Sequence, residues 1–202
     1  FAGFAIQGYE TKTGSHAQFL NVQGPQLHRV PPDLTLEQAG SYVLNLGTIT
    51  RCLFTTLQIV PGKTIFVEGS ATGTGLDALK SSIKSGLKAT GMVSSDSRAA
   101  FVREQGAVGA LNRKDPRFAG AFTAVPDDPE AAKAWEREGE GILEEYRRMN
   151  GGRLADFVVS HAGESAFPRS FQLLEEHGTL AFYGASSGYH FSFMGKPGSA
   201  AP

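Results

Sequence analysis

Apolar residues along the chain fall in short runs separated by longer amphipathic stretches. Five runs are apolar on both faces, which predicts strands covered by helices on each side; they are residues 64–67, 89–93, 108–112, 155–159 and 179–183. The stretches between them show helical periodicity at residues 76–85, 97–105, 130–149 and 167–176, and residues 116–129 indicate a loop. Strands and helices that alternate with short connections predict an α/β fold built on a doubly wound parallel sheet.

The pattern near the amino terminus is different, with short alternating runs that predict strands at residues 4–9, 15–22 and 26–30. A helix is predicted to begin after Thr35, because Gln38 follows three residues later and completes a capping-box pattern. A second helical run covers residues 42–57. Residues 195–202 are rich in Gly, Pro, Ala and Ser, and we expect a linker or loop there.

Composition excludes several classes of protein. The chain has 202 residues, 41% of them hydrophobic and 19% charged, as is ordinary for a globular domain. Its formal net charge of -1 gives no field to hold nucleic acid or an acidic membrane, and no apolar run approaches the length of a membrane span. The single cysteine, Cys52, excludes a disulfide framework, so we expect a cytoplasmic protein. Because the chain opens at Phe1 without an initiator Met, we also expect a fragment of a longer polypeptide.

A glycine-rich segment follows the first strand of the alternating series and carries the strongest chemical signal. A dinucleotide pyrophosphate binds to exposed backbone N–H groups at a helix N-terminus, and glycine is used where a side chain would block the approach. The alternative is a tight turn with a structural role only. The position between strand and helix favours a Rossmann-type cofactor site, formed by Gly69, Ser70, Ala71, Thr72, Gly73, Thr74 and Gly75.

The end of the second predicted strand bears on which nucleotide is bound. Proteins that bind NAD place a carboxylate there for the ribose 2′-hydroxyl, and such a group would repel a 2′-phosphate. Here Ser94 and Ser95 end the strand and Arg98 follows, a set that suits a phosphate. Asp96 opposes this interpretation unless it serves as the N-cap of the next helix. We therefore predict NADPH rather than NADH as the cofactor.

Arg113 comes at the end of the third predicted strand, next to Lys114. It would add positive charge at the same edge of the sheet, or it would belong to a solvated turn. Both interpretations remain open from the sequence.

Short motifs spread over nearly the whole chain occur in the order seen in a known family. They are Gly8-Tyr9-Glu10-Thr11, Gly14-Ser15-His16-Ala17-Gln18-Phe19, Leu34-Thr35-Leu36-Glu37-Gln38-Ala39, Gly47-Thr48-Ile49-Thr50-Arg51, Gly106-Ala107-Val108, Asn112-Arg113-Lys114-Asp115, His161-Ala162-Gly163-Glu164-Ser165, Gly178-Thr179-Leu180 and Ala185-Ser186-Ser187-Gly188-Tyr189. Together with the glycine turn, these motifs make the sequence resemble the crotonyl-CoA carboxylase/reductase group of the medium-chain dehydrogenase/reductase superfamily. Within that group it looks most like the acrylyl-CoA reductase domains of propionyl-CoA synthases.

The resemblance implies a domain organisation and a reaction. Residues 1–33 would be the end of a GroES-like catalytic domain with remnant β-strands, residues 34–194 an NADP-binding Rossmann domain, and residues 195–202 a linker or loop. Hydride would pass from NADPH to the β-carbon of a short-chain 2-enoyl-CoA, and the enolate would take a proton or carbon dioxide. No metal is implied. The partners would be other domains of a larger polypeptide and further copies of the parent protein.

The resemblance also implies roles for individual residues. Glu10 and Tyr9 match a pocket for the proton or carbon dioxide, although they also fit an exposed strand pair. His161 matches a loop that faces the cofactor, although it also fits a structural histidine. A loop near the nicotinamide is matched by Ala185, Ser186 and Ser187.

Two departures from the family pattern leave other functions open. Thr72 replaces a common glycine in the turn, and Thr50 stands where many relatives have tyrosine. A zinc-independent quinone or alkenal reductase would share the fold and the cofactor. A non-catalytic nucleotide-binding fragment is a further alternative.

Overall fold

The computed structural model describes residues 7–191, and the chain forms two compact units, Phe1–Ser41 and Tyr42–Pro202. Before the first helix, residues 7–35 contain one regular element, a 3₁₀ turn at Gly24–Gln26. The strands predicted at residues 15–22 and 26–30 do not form, so this part of the prediction was wrong. Almost all of these side chains are exposed, and no strand in the described part pairs with them to satisfy their backbone groups. The strand predicted at residues 4–9 lies partly outside the described residues, and its last three residues begin a turn.

The first helix, α1 (Leu36–Thr50), begins as predicted. The Thr35 N–H donates to Gln38 Oε1 at 2.9 Å, and the Gln38 N–H donates to Thr35 Oγ1 at 3.3 Å, which confirms the capping box. The helix continues into a π-helical turn at Arg51–Thr56, so the two predicted helical runs form one element. Gly40 lies within α1. One glycine in a helix lowers its stability but does not have to end it.

The second unit contains the parallel sheet that the alternating pattern predicts. Its strands are β1 (Thr64–Val67), β2 (Lys88–Val93), β3 (Gly109–Asn112), β4 (Ala155–Ser160) and β5 (Leu174–Phe182), in the order β3-β2-β1-β4-β5. Four helices connect them: α2 (Gly73–Lys84), α3 (Asp96–Glu104), α4 (Pro129–Met149) and α5 (Phe167–Gln172). All four strand pairings are parallel, which confirms the Rossmann-type fold.

The sheet is buried on both faces. Successive residues of β1 point to opposite sides, so Ile65 and Val67 pack into one apolar core while Phe66 packs into the other. All four residues of β1 are buried. The strand order reverses between β1 and β4, and a crevice forms at such a point beyond the carboxyl ends of the strands.

The last helix is shorter than predicted. α5 ends at Gln172, and β5 begins at Leu174 beside Ala155 of β4. The pairing shifts register between Ala155 and Phe157, and His177 there has a positive φ of 65°. The residues predicted as a final helical turn therefore form an irregular start to the strand, because edge pairing satisfies their backbone groups.

Candidate nucleotide-binding site

A cleft of about 300 Å³ opens at the carboxyl ends of the strands, next to the point where the strand order reverses. It brings together nine of the residues predicted for cofactor or substrate: Gly69, Ala71, Thr72, Ser94, Arg98, Arg113, His161, Ser186 and Ser187. Sequence reasoning missed other lining residues, including Phe122, Ala162 and Ser165. Phe122 lies in the segment predicted only as a loop.

The glycine turn is closely packed, which explains two of its glycines. Gly69 has a φ of +57°, and a Cβ there would lie 2.4 Å from Cε1 of His161. A Cβ on Gly75 would lie 2.2 Å from the carbonyl oxygen of Gly69. Ser70 is buried, and its hydroxyl donates to the Met92 carbonyl at 3.2 Å. The side chain of Ser70 thus joins β1 to β2 and does not line the cleft.

Thr72 is the N-cap of α2. Its Oγ1 donates to the Gly69 carbonyl at 2.7 Å and accepts from the Gly75 N–H at 3.4 Å. Thr72 therefore organises the turn through its hydroxyl. Among the described residues, the N–H groups of Gly73 and Thr74 make no hydrogen bond, as is usual in the first turn of a helix. These two donors and the helix dipole are suited to an anion.

The turn is supported from α1 by a residue that sequence reasoning missed. The Thr74 hydroxyl donates to Asn45 Oδ1 at 2.8 Å. A Cβ on Gly73 would lie 2.9 Å from Nδ2 of the same Asn45. A polar residue between Leu44 and Leu46 was the available signal in the sequence.

The end of β2 departs from the prediction in one respect. Ser95, and not Asp96, is the N-cap of α3, since its hydroxyl accepts from the Arg98 N–H at 3.3 Å. Arg98 Nη1 donates to the Ser94 hydroxyl at 2.9 Å, and both residues line the cleft, whereas Ser95 does not. Asp96 accepts from Asn112 Nδ2 at 2.9 Å and lines a separate hollow. Hence no carboxylate is found among the described residues that line the main cleft.

Arg113 extends the pairing of β2 with β3, because its N–H donates to the Val93 carbonyl at 2.9 Å. Its side chain lines the cleft with Arg98. Of the two interpretations left open by the sequence, this placement fits a contribution of positive charge.

A buried arginine holds the wall of the cleft that contains Phe122. Arg169 has no exposed surface, and its Nε donates to the Ala121 carbonyl at 2.8 Å. Its Nη2 donates to the Trp135 carbonyl at 2.5 Å, and the guanidinium lies 3.6 Å from the centroid of the Trp135 ring. Burial lowers the pKa of Arg169 to about 10. A Cβ on Gly139 would overlap this guanidinium, so α4 carries glycine where it faces Arg169.

Glu68, the first residue after β1, is a further residue that the sequence reasoning did not single out. It is fully buried, and its Oε2 accepts from the N–H groups of His161 at 3.0 Å and Ala162 at 3.1 Å. The Ser170 hydroxyl donates to Oε1. The His161 ring stacks on Tyr183 with 5.8 Å between centroids, and burial raises the pKa of that tyrosine. An acidic residue directly after an apolar strand was the signal in the sequence.

The loop after β5 closes over the loop after β4. The Ser187 hydroxyl donates to the Ala162 carbonyl at 2.6 Å, and the Ser165 N–H donates to Ser187 Oγ at 3.0 Å. Ser186 and Ser187 line the cleft, whereas Ala185 packs against Gly163. Tyr9 and Glu10 belong to the other unit, and their predicted roles stay predictions.

In residues 7–191, no three His, Cys, Asp or Glu side chains lie close enough together to hold a metal ion. No helix in the same range is both long and apolar enough to cross a membrane.

The parallel sheet and the glycine turn define a Rossmann-type nucleotide-binding domain. No protein-family model matches the chain. The crotonyl-CoA carboxylase/reductase of Cereibacter sphaeroides is 34% identical over 93% of this chain and 44% of its own length. Quinone oxidoreductase 1 of Escherichia coli is 22% identical over 93% of this chain and 50% of its own length. The chain thus spans about half or less of the length of these relatives.

Solved structures agree with the sequence comparison. A crotonyl-CoA carboxylase/reductase matches 94% of this chain and 45% of its own chain with a TM-score of 0.82 and 32% identity. The crotonyl-CoA carboxylase/reductase AntE, in complex with NADP, matches 74% of this chain and 37% of its own chain with a TM-score of 0.68 and 26% identity. These similarities support the crotonyl-CoA reductase group of the medium-chain dehydrogenase/reductase superfamily, which the sequence motifs predicted.

Proposed function

We propose that this chain forms the NADPH-binding part of an enzyme that reduces a short-chain 2-enoyl-CoA. The observation that carries the proposal is the cleft lined by Arg98, Arg113 and Ser94, with no carboxylate among its described residues. Guanidinium and hydroxyl groups bind phosphate, whereas a carboxylate would repel it. The similarity to crotonyl-CoA carboxylase/reductases supports the reaction.

Different groups of the described residues would hold different parts of the dinucleotide. The N–H groups of Gly73 and Thr74 would hold the pyrophosphate at the positive end of α2. Arg98 with Ser94, and Arg113, would hold the 2′-phosphate. Gly69 leaves room for the His161 ring, and His161 with the serines of the loop after β5 would line the nicotinamide end.

NADPH, when bound, would supply the hydride for the β-carbon of the enoyl thioester. The residues of this chain would bind and orient the cofactor and exclude water. From the family resemblance we also propose that Glu10 and Tyr9 form a pocket for the proton or carbon dioxide that reacts with the enolate, and that His161 faces the cofactor. The same resemblance makes acrylyl-CoA the proposed substrate, within a larger homo-oligomeric protein in the cytoplasm.

A titration of the chain with NADPH and, separately, NADH tests the cofactor assignment. The fluorescence of the nucleotide measures binding. We expect saturable binding with a clear preference for NADPH. A preference for NADH would contradict the phosphate assignment. If the chain binds neither nucleotide, the same titration on the full-length protein decides whether the turn is only structural.

The alternative of a quinone reductase rests on the weaker similarity to quinone oxidoreductases. NADPH oxidation by the full-length protein should be followed with acrylyl-CoA, crotonyl-CoA and a soluble quinone, each with and without bicarbonate. Turnover of the thioesters alone would support the proposal, and turnover of the quinone alone would replace it. Binding without turnover of any of them would indicate a non-catalytic nucleotide-binding module.

A further inference from the structure

Glu68 has no part in the cofactor binding just described, yet it is among the largest fully buried side chains of the described part. A buried carboxylate is costly unless hydrogen-bond donors surround it. Glu68 has three: the N–H groups of His161 and Ala162 on Oε2, and the Ser170 hydroxyl on Oε1. Two of these donors fix the backbone of the loop that carries His161.

The imidazole of His161 is held in one orientation beside this carboxylate. One face of the ring stacks on Tyr183 with the planes 15° apart, and Cε1 lies against Gly69. Nδ1 is buried 3.8 Å from Glu68 Oε2, beyond hydrogen-bond length, and has no hydrogen-bond partner among the described residues. Buried polar atoms nearly always have a partner, and hydrogen bonds of active sites are often long before ligands bind.

We propose that Glu68 is a positioning residue that holds His161 in the tautomer protonated at Nδ1. A carboxylate only accepts hydrogen bonds, so a ring nitrogen that pairs with it must carry the proton. Nε2 is then left as an acceptor toward the cleft. In the cleft, Nε2 accepts a hydrogen bond from an amide or a hydroxyl of the bound ligand, or from an ordered water that the ligand holds. Only the identity of that ligand rests on the proposed function.

The test is an NMR measurement of the ring nitrogens in the full-length protein, at a pH where the imidazole is neutral. This chain alone has five histidines, so His161→Gln identifies the signals of His161. We expect the chemical shifts of the tautomer protonated at Nδ1. Glu68→Met has a similar length but removes the oxygen that faces Nδ1, so the population should change toward the tautomer protonated at Nε2. An Nε2–H tautomer in the unmodified protein, or no change in Glu68→Met, overturns the proposal.

Ser170→Ala is the matched control, because it removes the third donor and keeps the carboxylate. We expect the tautomer of His161 to be unchanged in this variant. An equal change in both variants would show that any loosening around Glu68 has the same effect, which contradicts the proposal. If Glu68→Met does not fold, Glu68→Asp keeps the charge, and its His161 should still be protonated at Nδ1.

Kinetics separates this inference from the proposed function. We expect Glu68→Met to lower kcat for NADPH-dependent thioester reduction about tenfold or more, with little change in KM for NADPH. An increase in KM without a loss of kcat would indicate a structural role and overturn the positioning role. If the unmodified protein reduces no thioester, the proposed function fails, while the tautomer of His161 still decides the role of Glu68.

Discussion

Arg98 and Asp96 lie within one turn of α3, but their side chains have different surroundings. Arg98 joins Ser94 at the cleft, whereas Asp96 is held by Asn112 in a separate hollow. Both charges follow the end of β2 in the sequence, which does not show which of them faces the cleft. The hydrogen bond from Asn112 of β3 holds Asp96 away from the cleft, and this bond forms only once the sheet has formed.

Arg98→Ala should weaken NADPH binding about tenfold or more and leave NADH binding nearly unchanged, because a hydrogen bond to a charged group contributes about 1.5–3 kcal/mol. Titration of both nucleotides measures the change in preference. Arg137→Ala is the control, since Arg137 is exposed on α4 and carries the same charge outside the cleft. Equal losses for both nucleotides would contradict the assignment of Arg98 to the 2′-phosphate.

Gly75→Ala should abolish nucleotide binding and lower the melting temperature, because its Cβ would lie 2.2 Å from the Gly69 carbonyl oxygen. Backbone must move to relieve this contact, which opens the turn. Gly47→Ala is the matched control: its Cβ meets nothing within 4 Å, and alanine favours a helix by about 1 kcal/mol over glycine. Unchanged NADPH affinity in Gly75→Ala would be evidence against the turn as the binding site.

At the scale of the element, the strands and helices of the second unit were predictable from periodicity alone. β1, α2, β2 and α3 all lie within a few residues of their predicted positions. The strands predicted before residue 33 were wrong at residues 15–22 and 26–30. A strand is stabilised by a neighbouring strand, and the local sequence does not specify that neighbour. Glu68 was missed for a similar reason, since its donors come from the loop after β4 and from α5.

Thr72→Ala should lower the free energy of unfolding by about 1 kcal/mol, because it removes the N-cap of α2. It should also weaken NADPH binding, since the Thr72 hydroxyl ties the turn to Gly69. Urea denaturation and nucleotide titration measure the two effects. Thr72→Ser keeps the hydroxyl and should behave like the unmodified protein; an equal loss in both would assign the effect to the methyl group.

The start of β1 is joined to β4 through Asp156, and this pairing should depend on pH. Burial opposes ionisation of the carboxyl, but hydrogen bonds from Thr64 and Lys63 outweigh it and hold the pKa of Asp156 below its usual range. The contribution to stability is therefore present above the unfolded pKa of about 3.9 and is lost as pH falls through the folded pKa. Asp156→Asn should lower the urea midpoint at pH 7 and much less at pH 3; an equal loss at both would contradict this account.

At the scale of the whole second unit, Arg169 joins its own helix to two segments that are distant in sequence. It contacts α4 through Trp135 and the loop before α4 through Ala121, and it also donates to Gln172 of its own helix. A buried arginine in the last helix could not be matched to the two distant partners from the sequence, because they are backbone carbonyls and a ring brought near only by folding.

Arg169→Met should lower the free energy of unfolding by about 1–3 kcal/mol, because buried carbonyls lose their donor. The loss of the Ala121 contact should also displace Phe122 and weaken nucleotide binding. Denaturation and NADPH titration measure both effects. Arg137→Met changes the charge of an exposed position on α4 and is the control; equal effects in the two variants would exclude the buried contacts as the cause.

The packing of Arg169 on Trp135 also gives the protein an optical reporter. Trp135 is the single tryptophan of the sequence, so all indole emission comes from this one buried position. Indole emission moves to longer wavelength when water reaches the ring, so the emission should shift if the wall that carries Phe122 separates from α4. A stopped-flow recording of indole emission during mixing with nucleotide would therefore time any such movement without an attached dye.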